Sequence, residues 1–245
     1  MHESLNAATG IAATVRLALV RSARLGSTRL VAVDGPSGSG KTSLAGPLAD
    51  AIAGAIGGVV IQPRRIGGQG SVDAREGAGA GADGGAAVAN GAHPGTSSYS
   101  VREPIPSVPR VAVVSTDLLA TWEHPLDWWA VMEEFLLAPL ATGGIAKMPV
   151  MQWVSGNPRP GGSIVVPPVD VLILEGVSSG RSAVAGRLSA LVWVEVPGAA
   201  ERLERAVARD GEAMRPFLAR WQVDEAAHFA ADGTRGRADV VIDPR

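Results

Sequence analysis

The sequence predicts an α/β fold in which an open, mostly parallel sheet of five strands lies between helical layers. Three observations lead there. Apolar, β-branched runs such as LVAVD, RVAVVS and VLILE recur along the chain, too uniformly apolar for strands with one wet face. Stretches of helical character separate them, the alternation expected of a parallel sheet covered on both sides. The first run leads into GPSGSGKTS and two later ones end in a carboxylate, so the polar chemistry gathers at the carboxyl edge where such sheets bind ligands.

Taken in order, the chain opens with an apolar stretch whose longest uncharged run, Leu5 to Val15, is too short to span a bilayer. Arg16, Arg21 and Arg24 follow that run rather than precede it, which is the wrong arrangement for a signal peptide. The expectation is a helix within residues 1–28, packed on a single domain over 29–245, with its basic end favouring the negative pole of the helix dipole. Leu30 to Asp34 is a buried strand, and Thr42 to about Ile56 is the helix after the glycine turn. From Pro63 to Pro109 the chain is mostly glycine, alanine, serine and proline. Such a segment buries too little apolar surface to offset its ordering entropy, so residues 63–109 are expected to be a mobile insertion with no function of their own.

Order returns at Arg110 to Asp117, a second strand. After it, WEHPLDWWAVMEEFLLAPLATG opens at a proline turn and places Trp128, Met132, Phe135 and Leu136 on one helical face. Val169 to Gly176 is a third strand, Leu188 to Pro197 a fourth, Ala200 to Asp210 a charged helix, and Ala238 to Asp243 a fifth strand.

Composition narrows the function. The 245 residues are 46% hydrophobic and 19% charged, with a net charge of −2, so no basic excess exists for general nucleic-acid binding. Cysteine is absent, which excludes disulfides, thiolate metal sites and cysteine nucleophiles, and fits a cytoplasmic protein without a membrane role.

Gly35, Pro36, Ser37, Gly38, Ser39, Gly40, Lys41 and Thr42, with Ser43 after them, match the Walker A pattern G-x-x-x-x-G-K-[ST] in its required context, strand before and helix after. The glycines let successive N–H groups curl around a phosphate, and the helix adds its positive pole. Lys41 has the reach for the β- and γ-phosphates, and the Thr42 hydroxyl suits Mg²⁺. Pro36 and Gly38 are expected to shape the loop without a required contact. This predicts a P-loop NTPase, a three-layer sandwich that binds ATP.

Whether the chain hydrolyses, switches or transfers turns on the strand-end carboxylates. Glu175 is placed to serve Mg²⁺, and Asp117 is the better general base for an acceptor hydroxyl. The plainer alternatives are an N-cap role for Asp117 and a metal-free acid for Glu175. Arg202, Arg205 and Arg209 share one helix face, with Arg215 beyond, and suit the charge that spreads over a transferring phosphoryl group. The alternative is a solvated face paired with Glu201, Glu204 and Asp210.

The ordered set GPSGSGKTS, VVSTD, HPLDWW, ILEGV, RLERAVARD and ADVVID resembles the uridine kinase/phosphoribulokinase group of P-loop kinases, uridine kinase above all, from about Leu30 to Asp243 apart from the insertion. The resemblance implies a nucleoside-kinase-like fold using ATP and Mg²⁺. In it Asp117 acts as base and metal neighbour, Glu175 positions magnesium, Arg205 and Arg209 clamp the phosphates, and His124, Trp128 and Trp153 form the acceptor pocket. The chain departs from the group's pattern in that pocket. Trp129 stands where an acid usually follows the first aromatic, Met151 and Gly156 stand where a tyrosine and a histidine grip the base, and the lid is reduced to GEAMRPF. The phosphoryl-transfer parts are thus kept and the acceptor pocket rebuilt. Of Trp122, Trp128, Trp129 and Trp153, two are expected in the core and Trp128 or Trp153 against the acceptor. The expectation is a small-molecule kinase with a nucleoside, sugar phosphate or pantothenate-like acceptor. The rival is an ATP-binding module acting through a partner.

Overall fold

A computed structural model describes residues 4–67 and 107–245. Helix α1 (Ala7–Val20) leads into strand β1 (Arg29–Asp34), the phosphate loop and helix α2 (Lys41–Ile56). Then come strands β2 (Val59–Ile61), β3 (Arg64–Ile66) and β4 (Arg110–Ser115). A broken helix follows as α3 (Trp129–Met132), a π-helical turn at Glu133–Leu137, and α4 (Ala138–Ala141). Strands β5 (Ala146–Val154), β6 (Asn157–Val166), β7 (Val171–Glu175) and β8 (Leu188–Val194) precede helices α5 (Ala199–Asp210), α6 (Arg215–Asp232) and α7 (Thr234–Arg237), and strand β9 (Val240–Ile242) ends the fold.

The main sheet has the order β2-β4-β7-β1-β8-β9, and every pair in it is parallel. It thus holds six strands rather than the expected five, the sixth being the three-residue β2 at the edge. After β1 the chain builds one side of the sheet, and only later the other. The crevice at the carboxyl end of β1 is therefore a topological switch point.

Alternate residues of the central strands feed two cores. Val31, Val33, Ile173 and Val192 face a cluster closed by Leu48 and Ile52 of α2 and by α1. Leu30, Ala32, Leu172 and Leu174 face the other, closed by Met132, Leu136 and Met148. Each side chain so buried contributes about 1.5–3 kcal/mol, which explains why these strands carry almost no polar residue. The basic end of α1 works differently from expectation: Arg21 makes two bonds to Asp239, at 2.7 and 2.8 Å, instead of meeting its own helix's last carbonyls.

The second core rests on a sheet that sequence reading missed, the antiparallel order β3-β6-β5. Its signal was present, because Ala146, Met148 and Val150 are buried while Lys147 and Pro149 between them are exposed. The β5–β6 hairpin turns on Ser155 and Gly156, both at positive φ, the geometry that two-residue hairpin loops favour. Strand β3 lies inside the span expected to be a mobile insertion. The rest of that expectation, over 68–106, falls outside the described residues.

The helix after β4 departs from regular spacing at its π turn, just before Pro139, which lacks the N–H needed to continue the ladder. Trp128, Met132 and Leu136 are buried as the spacing predicts, but Phe135 is turned outward, 37% exposed.

Candidate active site

Strand β1 ends at Asp34, a fully buried carboxylate. Its Oδ1 accepts the N–H of Gly35 (2.7 Å) and Ser178 (2.8 Å), and its Oδ2 that of Gly180 (2.8 Å). Burial outweighs these bonds and pushes its pKa up to about 6. One side chain thus ties the first turn of the phosphate loop to the loop after β7. Sequence reading did not single it out.

The loop itself is strongly held. Lys41 Nζ donates to the Pro36 carbonyl at 2.9 Å. Glu225 of α6, 1% exposed, accepts the Ser37 N–H at 2.9 Å and the Ser37 hydroxyl at 2.6 Å; burial raises its pKa against the pull of those bonds. Gly38 has φ +74°, and a Cβ there would collide with the Arg202 carbonyl of α5. Contrary to expectation, Gly38 is therefore required by a close approach of the loop to α5. Nothing in the sequence around Glu225 marks it, because its partner lies 188 residues away.

Ser37, Gly38, Gly40, Lys41, Thr42 and Ser43 open onto a cavity of about 720 Å³, whereas Gly35, Pro36 and Ser39 do not reach it. Asp117 and Glu175 open onto the same space. Asp117 sits in the 3₁₀ turn Thr116–Leu118 at the tip of β4, exposed, with its N–H capped by the Ser115 hydroxyl at 3.2 Å. Glu175 ends β7, is 3% exposed, and accepts from Thr42 Oγ1 at 3.3 Å. Burial and the nearby Asp117 charge both raise its pKa. Gly176 follows at φ +130°, where a Cβ would strike Thr116 Oγ1, so the Glu-Gly pair lets the β4 and β7 tips come together.

The Asp117 and Glu175 carboxylates beside the Thr42 hydroxyl form an all-oxygen donor set. That chemistry fits Mg²⁺ shared with phosphate oxygens rather than caged by protein alone. Among the described residues no group of three His, Cys, Asp or Glu side chains suits a metal held by protein ligands only.

Of the four arginines, Arg205 and Arg209 line the cavity. Arg209 is paired with Asp210 at 2.7 Å, which raises its pKa, with the Asp117 and Glu175 charges adding to the effect. Arg202 donates to the Val196 carbonyl at 2.8 Å and lines a separate hollow, while Arg215 is tied to Glu204 and Glu212 at the surface.

Beyond Asp117 the cavity becomes aromatic. Trp153 lines it, but the structure does not bring His124 or Trp128 there. Trp128 is 2% exposed in the second core with the Arg181 guanidinium 4.5 Å above its ring, and His124 is an exposed residue of the loop before α3. The walls come instead from Trp122, Trp153 and Trp221, with Met214 and Leu218. The Trp122 ring centroid is 4.9 Å from that of Trp153 and 5.7 Å from that of Trp221. Helix α6, which supplies Leu218, Trp221 and Glu225, went unread in the sequence.

No family model matches the sequence, and no curated protein matches it. Among solved structures, the chain is similar to a possible uridine kinase from Bacillus stearothermophilus, with 14% identity and a TM-score of 0.54 over 96% of this chain and 98% of that one. A protein provisionally named as a fructose transport system kinase, from a Silicibacter species, aligns at 16% identity and a TM-score of 0.45 over 98% of each chain. The first likeness shows the fold: this chain folds as that possible uridine kinase does.

Proposed function

We propose that the chain is an ATP- and Mg²⁺-dependent small-molecule kinase that transfers the γ-phosphoryl group to an acceptor hydroxyl. The observation that carries this reading is the shared cavity, in which Asp117 faces the same space as Lys41, Thr42 and Glu175. A hydrolase needs room only for water at that point. Here the space continues past Asp117 between aromatic walls, enough for a second organic molecule.

The loop N–H groups and the start of α2 take the phosphates. Lys41 exchanges its Pro36 contact for β- and γ-phosphate oxygens. Thr42, Glu175 and Asp117 would hold Mg²⁺, which when bound neutralises charge on those oxygens. Asp117 accepts the acceptor's hydroxyl proton as that oxygen bonds to the γ-phosphorus. The bond from phosphorus to the β–γ bridging oxygen breaks, and its electron pair leaves with ADP. Arg205 and Arg209 stabilise the charge that spreads during transfer.

The test is ADP release against a panel of hydroxyl compounds. One acceptor is expected to stimulate it stoichiometrically, and Asp117→Asn to lower kcat by roughly 10²–10⁴ with ATP affinity retained. ADP release indifferent to every acceptor and to Asp117→Asn would instead favour an ATP-binding module that works through a partner.

A further inference from the structure

We infer that the acceptor is a planar, largely apolar alcohol rather than a polyol such as a nucleoside or sugar. This deepens the kinase reading and rests on it.

The polar groups of the cavity are divided unevenly. Asp117, Glu175, Arg205 and Arg209 stand at the phosphate end, and Asp210 is already engaged by Arg209 through two bonds of 2.7 Å. The far end has three indoles, a thioether and a leucine. Trp122 Nε1 is spent on the Gly156 carbonyl at 2.7 Å, which pins the β5–β6 turn against the loop after β4. Trp221 Nε1 is shielded from solvent, without a hydrogen-bond partner among the described residues, and so offers nothing to the open cavity.

A polyol lying against these walls would leave its water partners and find no side-chain oxygen on them and, with the Trp122 and Trp221 N–H groups spent or shielded, only the indole N–H of Trp153 as a donor. Each hydroxyl so stranded opposes binding. A flat apolar body loses nothing there and stacks on the indoles. Trp153, which lines the cavity and is 38% exposed, supplies further apolar surface.

The probes are the aromatic alcohols anisyl alcohol and benzyl alcohol, with uridine, fructose and choline as rivals. ADP release is measured with the full chain, and binding by calorimetry in the presence of ADP. Anisyl alcohol is expected to exceed uridine, fructose and choline by at least ~10-fold in kcat/KM. Trp153→Ala, at a half-exposed strand position, is expected to weaken both aromatic alcohols by ~10-fold while ATP affinity stays unchanged. A preference for uridine or fructose overturns the inference and leaves the kinase reading standing. A preference for choline overturns it in favour of cation recognition by the indoles. Aromatic alcohols that bind in a Trp153-dependent way without stimulating ADP release would sink the kinase reading instead, and with it their role as acceptors.

Discussion

The two ends of the cavity are built on opposite principles. At the phosphate end the buried carboxylates of Asp34 and Glu225 are saturated with loop N–H and hydroxyl donors, and a glycine permits contact with the neighbouring helix. At the other end, indoles and aliphatic groups meet with one hydrogen bond from the rings and, among the described residues, one buried indole N–H without a partner. The difference teaches a division of labour. A triphosphate is always the same shape, so its cradle can be rigid and pre-organised. An apolar wall discriminates weakly on its own, so the identity of the acceptor there rests on the few polar atoms that do not fit everything.

The sharpest way to break this contrast is at its stiffest point. Asp34→Asn puts an amide N–H₂ against backbone N–H donors and is expected to cost roughly 2–3 kcal/mol of stability. A denaturant titration checks it. The pH dependence has a definite sign. The folded-state value near 6 lies above the ordinary 3.8, so between those values the native chain binds more protons than the unfolded one. This group's contribution to stability is therefore full below about pH 4 and is lost as pH rises through 6. The gap between wild type and Asp34→Asn should thus be wider at pH 5 than at pH 7. A gap that widens with pH would mean that the N–H bonds, not burial, dominate.

The same contrast governs what the sequence made legible. The phosphate loop is contiguous, GPSGSGKTS after a β-branched strand, and its chemistry could be written down directly. Asp117 and Glu175 were legible because strands of a parallel sheet end on one edge, which brings them together without knowledge of any loop. The acceptor end has no such rule. Trp122, Trp153 and Trp221 come from a loop, a hairpin and a helix, and only tertiary packing unites them. Trp128 was misplaced because its spacing marks a buried face, which sends it under Arg181 rather than into the cavity. Helix α6 went unread because the face that carries Phe217, Leu218, Trp221 and Phe229 also carries Glu225 and His228, which interrupts the apolar stripe.

Helix α6 also offers a test of how separate the two ends are. Leu218 and Trp221 line the aromatic wall, and Glu225, one turn after Trp221, holds Ser37 of the phosphate loop. Glu225→Gln retains one acceptor oxygen and loses the other, so ATP affinity is expected to fall ~5–10-fold, about 1 kcal/mol. If the ends are independent, the KM of the acceptor stays where it was. A matching rise in both constants would show that α6 transmits strain between them, and the rigid and adaptable halves would then be one mechanical unit.

The smallest expected effect concerns the one hydrogen bond that the aromatic wall does make. Trp122 Nε1 donates to the carbonyl of Gly156, at the tip of the β5–β6 hairpin, while the Trp122 ring is also packed against Trp153, Phe217 and Trp221. Trp122→Phe keeps much of the packing and removes the donor, leaving a partly buried carbonyl to find water. The expected loss is about 1 kcal/mol of local stability, seen as faster amide exchange around Ser155 and Gly156 rather than as a lower global midpoint. Because Trp153 rides on the same hairpin, loosening its tip should raise the acceptor's KM a few-fold and leave that of ATP alone. A change in ATP affinity instead would mean that the wall reaches further toward the loop than its contacts indicate. An unaltered acceptor KM would mean that the indoles hold their places by packing alone, with the hydrogen bond a consequence of that arrangement and not its cause.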